Sequence, residues 1–401
     1  MTSPVVLLGL ANHRANLRPF GIRLQDRLSH LHAIGRTGTG KSTLLRVMAE
    51  QDLVHGQPFA LFDPHGDLAA GVTLAAEERG VRVRVLDGSP TAPGWAFDPL
   101  GIPQGWDASL ASAGLVEVFR KVWADEWGPR LEHLLRHVVL TLMASGGRLA
   151  DVPQLLTDRR YREELLRRVH DPVVLGFWRG EFDRYSPGFR SVVVAPLQNK
   201  VGALLADRRL RSILNGRRSA LDVGQAVERG ETLIFRLPKG QMGESTSALL
   251  GSLIVSHLVL AGLSRAGQPS ADRRPYFLYL DEFQTFATQM LVTLLAELRK
   301  YGMGAVLAHQ YLGQLGPELE QAVLANAGTL ITFRVGARDA ATLARELAPV
   351  FESEDLLSLP NYHYYLKLLI DGEVSKPFSA RSFGSLAEAM RSRSCASGDS
   401  V

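Results

Sequence analysis

The chain has 401 residues, with 45 Lys+Arg against 41 Asp+Glu and a single Cys. That length suits one large domain or two to three smaller ones. A content of 46% hydrophobic and 21% charged residues excludes a disordered chain. The lone Cys395 excludes a disulfide framework and a cysteine zinc site, and a net charge of +4 names no partner. Of the basic residues 38 are Arg and 7 Lys, which reads as GC-rich codon usage and carries no function.

The apolar run 4–11 is far short of the roughly 20 residues that cross a bilayer. It also lacks the flanks of a signal peptide. The longest apolar stretch, 247–263, is broken by Ser252, Ser256 and His257 and lies between two core strands, so a buried helix is expected. No integral membrane segment is expected. The compartment read from this is the cytoplasm, with any membrane association peripheral and through partners.

Short apolar runs between turn residues predict strands at 31–34, 59–62, 81–86, 233–237, 277–280, 305–308, 330–333 and 364–369. Several are apolar at consecutive positions, as in a parallel sheet covered on both faces. Helical patterns at 42–52, 67–79, 245–263, 288–300 and 339–347 alternate with them, which gives an α/β sandwich. From 106 to 218 no strand is convincing. Residues 120–220 hold 19 basic and 11 acidic side chains, a net +8, so the rest of the chain nets −4. We read this stretch as an inserted helical domain, its arginines either a solvated face or a nucleic-acid contact. The tail 391–401, rich in Ser and Arg, is expected to be disordered.

Gly35-Arg36-Thr37-Gly38-Thr39-Gly40-Lys41-Ser42 fits G-x-x-x-x-G-K-[ST], with a strand entering and a helix leaving. Glycines let successive N–H groups face phosphate oxygens, and the helix N-terminus adds its dipole. Lys41 brings charge to the β/γ-phosphates, and the Ser42 hydroxyl suits Mg²⁺. Gly35, Arg36, Thr37, Gly38, Thr39, Gly40, Lys41, Ser42 and Thr43 are the expected nucleotide-binding residues.

The apolar run 276–280 ends in Asp281-Glu282. Either the pair caps the next helix, or Asp281 holds Mg²⁺ and Glu282 is the general base that activates water. With Lys41 upstream the second reading is preferred. Adjacent Asp-Glu also points to ATP-driven motor chemistry over a GTP switch. Glu132, His133 and His137 cluster on a helix, but not in H-E-x-x-H order, and no metal site is read there.

These motifs resemble the HerA/FtsK superfamily of ring-forming DNA-pumping ATPases, and within it the TraG/TraD-like coupling proteins of type IV secretion. Besides the Thr-Gly-Thr-Gly-Lys loop, Phe62-Asp63-Pro64-His65-Gly66-Asp67-Leu68 and Asp281-Glu282-Phe283-Gln284 match family elements. Phe97-Asp98-Pro99-Leu100 resembles the entry to the helical insert, with Asp98 where Asn is usual. Leu298-Arg299-Lys300-Tyr301-Gly302 followed by Gln310 resembles the arginine-finger and sensor segment. From the residues ahead of the first core strand neither the membrane anchor of coupling proteins nor the β-barrel of HerA proteins is expected.

The resemblance implies a RecA-like P-loop ATPase core with a mostly parallel central sheet and an inserted all-helical domain. The organisation read from it is 1–104 as N-terminal strands and first core part, 105–218 as the insert, 219–388 as second core part, and 389–401 as disordered tail. It implies catalytic roles for Glu282, Lys41, Arg299 and Gln310, with ATP as substrate and Mg²⁺ on Ser42 and Asp281. Gln310 is a sensor of the γ-phosphate or a strand-end cap. Arg299 is a finger reaching a neighbouring subunit or a helix-dipole partner, with Arg334 its rival. Asp63 and His65 contact nucleotide or DNA, or form a turn with Asp67 as helix cap. The loop Lys239–Gly243 is flexible and lines a ring's pore, or is an ordinary solvent loop. The implied partners are DNA of either strandedness, further copies in a hexameric ring, and a relaxase, nuclease or secretion-channel protein. Two other functions remain open: a non-translocating ATP-dependent recruitment module and a protein-pumping secretion ATPase.

Overall fold

Consecutive apolar residues in short runs need cover on both faces, and the chain supplies it by winding strands and helices alternately. The computed structural model describes residues 5–13, 16–92, 94–102, 106, 108–216 and 220–398. Its strands are β1 Val5–His13, β2 Asn16–Arg23, β3 Leu31–Ile34, β4 Phe59–Asp63, β5 Arg84–Asp87, β6 Leu233–Arg236, β7 Tyr276–Leu280, β8 Met303–His309, β9 Thr329–Thr332, β10 His363–Lys367, β11 Leu369–Ile370, β12 Glu373–Val374 and β13 Phe378–Ser382. Eleven of them form one sheet in the order β2-β1-β13-β10-β9-β3-β8-β7-β4-β6-β5. From β9 to β5 every neighbouring pair is parallel. The other end, β2-β1-β13-β10, is antiparallel and joins β9 antiparallel. β11 and β12 pair separately.

The chain divides into two compact units. The first comprises 1–87, 227–238 and 265–401 and holds the whole sheet. β3, β4, β7, β8 and β9 are buried at every position. The helices Lys41–His55 and Asp67–Glu78 pack together, with Leu44, Leu45, Met48, Val72 and Ala76 in the same core cluster as Ala33, Leu61 and Tyr279. Deep in this unit Arg27 and Asp52 pair through two 2.7 Å bonds, and the Tyr279 hydroxyl donates to Asp52 at 2.6 Å.

The second unit comprises 88–226 and 239–264. It is helical, with no strand among its described residues. Trp178 is fully buried in it, its indole N–H donating to Thr141 Oγ1 at 2.7 Å. Arg162 is buried against Trp178 and Phe182 and pairs with Asp183 at 2.7 Å. Arg159, Arg160, Arg167 and Arg168, on and just after the helix Arg159–Leu166, are exposed. Glu132 accepts from Trp127 and Arg136, and His133 meets Glu181, so that cluster is satisfied locally. Phe97-Asp98-Pro99-Leu100 also lies here, with His257 Nε2 at 3.1 Å from Pro99 O. The segment Glu244–Gly267 is the one helix among the described residues long and apolar enough to cross a membrane, and 83% of its apolar window is buried inside the protein.

Three expectations need correction. The tail from 389 is not disordered as far as Gly398: Leu386–Gly398 is a helix, capped by Ser385 Oγ at Glu388 N, and it buries Leu386 and Ala389. Two apolar residues three apart anchor a segment that its Ser/Arg content alone makes look unstructured. The segment after β6 is not a flexible loop, because Lys239–Met242 closes a helical turn with Gly243 N donating to Lys239 O. The run 364–369 is two strands, β10 and β11.

Candidate active site

The phosphate loop joins the tip of β3 to the helix Lys41–His55. Arg36 N donates to Arg334 O at 2.9 Å and Gly35 N to His309 O at 3.3 Å, which ties the loop to the tips of β9 and β8. Gly38 and Gly40 have φ of 77° and 118°, conformations that side-chain-bearing residues rarely adopt. Lys41 Nζ folds over the loop and donates to Gly35 O and Arg36 O. Burial lowers its pKa, against the pull of Asp281 and Glu282.

Parallel order brings the carboxylates to this edge. β8 lies between β3 and β7, so the tips of the loop strand, of the Gln310 strand and of the Asp281–Glu282 strand stand side by side. Ser42 Oγ donates to Asp281 Oδ2 at 2.9 Å. Asp281 is buried, and its pKa is pushed up to about 6. Burial is the main cause, and repulsion from Asp63 and Glu282 adds to it against the Ser42 hydrogen bond and Lys41.

Glu282 is held in a left-handed conformation, φ 49° and ψ 50°. This is costly for a residue with a side chain and concentrates at functional sites. Its carboxylate is buried and gripped by two amides: Gln310 Nε2 donates to Oε1 at 2.8 Å and Gln284 Nε2 to Oε2 at 2.6 Å. Asp63, at the tip of β4, accepts from His65 N at 2.8 Å and Ala69 N at 2.9 Å. It therefore serves the helix Asp67–Glu78 from outside, the N-cap position being Gly66 with φ 102°, not Asp67.

Behind the loop, His32 and His309 are stacked and buried, with Nε2 atoms 2.7 Å apart. His309 Nδ1 faces Tyr311 O at 3.1 Å, an acceptor only, so the proton is placed on Nδ1. His309 Nε2 then accepts and His32 Nε2–H donates. Burial holds both imidazoles neutral, His32 down to about 3 and His309 well below the usual range.

The structure thus gathers Lys41, Ser42, Asp281, Glu282 and Gln310. It does not bring Arg299 to them. Arg299 lies exposed in the turn before β8, at the opposite edge of the sheet, where its charge contributes to lowering the pKa of His30 behind the larger effect of burial. Arg334 does flank the loop, but its guanidinium donates to Leu359 O at 3.1 Å and Asn361 Oδ1 at 2.9 Å. Sequence reasoning gave no role to Gln284, although a Gln two residues past a candidate base is a visible signal. The approach of Asp63 to Asp281 and the imidazole pair rest on strand adjacency, which no local pattern states.

A phosphate loop on a parallel sheet, facing Asp and Glu at the tip of the next strand but one with the amide strand between, defines a RecA-like P-loop ATPase fold. Residues 225–356 match the family model of the type IV secretion-system coupling protein DNA-binding domain. Among solved structures the chain is similar to the plasmid coupling protein TrwB in complex with the non-hydrolysable GTP analogue GDPNP, at 18% identity over 91% of this chain and 88% of that one, TM-score 0.66. It is similar to TrwB in complex with ADP and Mg²⁺ at 18% identity over 90% and 87%, TM-score 0.60. VirB4 of Thermoanaerobacter pseudethanolicus matches at 13% identity over 96% and 97%, TM-score 0.61. Comparison with curated protein sequences finds no match. The chain is a coupling-protein-like P-loop ATPase in fold, as its motifs imply.

Proposed function

We propose that the chain is an ATP-hydrolysing motor that assembles as a ring, with a hexamer the expected size, and moves DNA through its centre. The observation that carries the enzymatic half is the paired contact at one sheet edge, Ser42 to Asp281 and Gln310 to Glu282. The backbone of Gly35–Thr43 and the Lys41 ammonium bind the phosphates. The fit to Mg²⁺ is good: a buried carboxylate with raised pKa, beside a hydroxyl and two further carboxylates, is a site short of positive charge. Ser42 and Asp281 would hold the ion, which supplies charge neutralisation along the β- and γ-phosphate oxygens. Glu282, whose two oxygens each accept one amide N–H and keep further acceptor capacity, takes the proton of the attacking water. Gln310 touches that base directly, so a change at the γ-phosphate position is felt at Glu282 through one hydrogen bond. Arg299 serves a neighbouring subunit.

DNA contact is assigned to the basic helical insert at 105–218, where phosphates would be tracked by charge without base readout. The matching family is described by a DNA-binding domain, and its solved relative TrwB is a plasmid coupling protein, which supports DNA transfer as the setting. The test is ATP turnover with Mg²⁺ in the absence of DNA, with single-stranded DNA and with duplex, particle mass being recorded on the same samples. Stimulation by either DNA together with a ring-sized particle is the expected result. Turnover indifferent to both forms refutes the DNA motor and leaves a recruitment module or a protein-pumping ATPase.

A further inference from the structure

We propose that Tyr362 is the platform on which the nucleobase of the bound nucleotide stacks. The proposal rests on the phosphate-loop reading above and extends it to the other end of the ligand.

Three observations single out Tyr362. Its φ is 67°, and it is 46% exposed, so a large aromatic side chain is held in a strained conformation yet left open. It is also built onto the phosphate loop. Tyr362 N donates to Thr39 O at 2.7 Å, and a Cβ placed on Gly40 would come within 2.9 Å of Tyr362 Cδ1. Gly40 is therefore required here by the ring as well as by its own φ. The carbonyl of Tyr362 accepts from Ser382 N at 2.8 Å, which fixes the other side of the residue. The preceding residues are fixed by Arg334, which donates to Leu359 O and Asn361 Oδ1.

Strand order gives the direction. The metal side of the loop is marked by Ser42 and Asp281, the latter following β7, two strands from β3. Tyr362 immediately precedes β10, two strands from β3 the other way, and antiparallel pairing with β9 puts that end of β10 at the same sheet edge. A nucleotide with its terminal phosphates toward Asp281 and Gln310 extends its nucleoside away from them, toward Tyr362. A cavity of about 730 Å³ lined by Arg36, Thr37, Gln310, Tyr311 and residues 336–339 is the competing place for the base, and Tyr311→Ala tests it. Stacking on an aromatic face is tolerant of base identity, so the platform accepts purine nucleotides without selecting among them.

The experiment compares full-length wild type, Tyr362→Asn, Tyr362→Phe and Tyr311→Ala by titration calorimetry, with ADP, GDP and inorganic tripolyphosphate as probes. Asn adopts positive φ readily, so Tyr362→Asn removes the ring without adding strain. We expect Tyr362→Asn to weaken ADP and GDP by similar factors of about tenfold or more, Tyr362→Phe to restore both, and tripolyphosphate to bind all variants alike. Unchanged ADP affinity in Tyr362→Asn overturns the proposal. So does an equal loss for tripolyphosphate, which makes Tyr362 a support of the loop, or a loss that follows Tyr311→Ala instead. Lys41→Ala is the separate check on the underlying reading: if it leaves tripolyphosphate binding intact, the phosphate-loop assignment fails, and the base platform with it.

Discussion

Replacing Arg299 with Ala tests whether the active site is completed by a second copy of the chain. Arg299 precedes β8 and Gln310 follows it. β8 has seven residues, so at about 3.3 Å per residue its first and last Cα atoms are about 20 Å apart. No arginine side chain spans that distance, and Arg299 cannot serve the site of its own chain. The proposed ring requires the opposite edge of one subunit to face the loop edge of the next, where a donated guanidinium would offset charge on the transferring phosphoryl group. Loss of such a finger costs about 10³–10⁵ in turnover, or about 4–7 kcal/mol of transition-state stabilisation. Arg299→Ala should therefore bind ATP with wild-type affinity and turn over at background. Mixing sharpens the test. Glu282→Gln subunits have a dead site and an intact finger, and Arg299→Ala subunits the reverse. In rings assembled at random from equal amounts, about one site in four pairs a sound site with a donated finger, so about a quarter of the wild-type rate should return from two inactive parents. Steady-state ATP turnover across mixing ratios, after exchange of subunits, reads this directly. No recovery at any ratio, or near-normal turnover by Arg299→Ala alone, refutes the reasoning and moves the role to Arg334.

Glu282→Gln should retain ATP and lose hydrolysis by about 10²–10⁴, because the amide keeps the shape but cannot take the water's proton; normal turnover in a coupled assay would assign the base elsewhere. Reversing Arg159, Arg160, Arg167 and Arg168 to Glu should weaken DNA binding and flatten the dependence of log affinity on log salt, by about 0.9 for each duplex phosphate no longer neutralised. An unchanged slope in anisotropy titrations returns these exposed side chains to solvent. Stability should fall on mild acidification. His30 and His257 are buried and lowered to about 4, against 6.5 in the unfolded chain. Their folded pKa values are depressed, so the unfolded state takes up protons first, and each group withdraws about 1.3 kcal/mol between pH 7.5 and 5.5. Urea midpoints that do not fall across that window would contradict the burial of these imidazoles as neutral groups.

Much of the chemistry was legible because it is written locally. Gly35–Ser42 needs specific residues at adjacent positions, since backbone N–H groups must converge on one phosphate. The pair Asp281-Glu282 announces itself because carboxylates end an otherwise apolar strand. The core strands were visible for the same reason, as runs with no polar face to turn outward. Other features depend on which strands become neighbours. That β8 enters between β3 and β7 decides that Gln310 reaches Glu282 and that Arg299 cannot, yet both residues lie within a dozen positions of each other in the chain. The convergence of Asp63 on Asp281, the His32–His309 pair and the seat of Tyr362 against Gly40 all join segments far apart in sequence. The tail helix Leu386–Gly398 follows the same rule, because its Ser/Arg composition describes the solvent side while only tertiary packing reveals where Leu386 and Ala389 are buried. Sequence by itself determined the groups proposed to bind phosphate and act on water. Tertiary structure decided which of them meet, because the contacts that orient them are set by sheet order and not by distance along the chain.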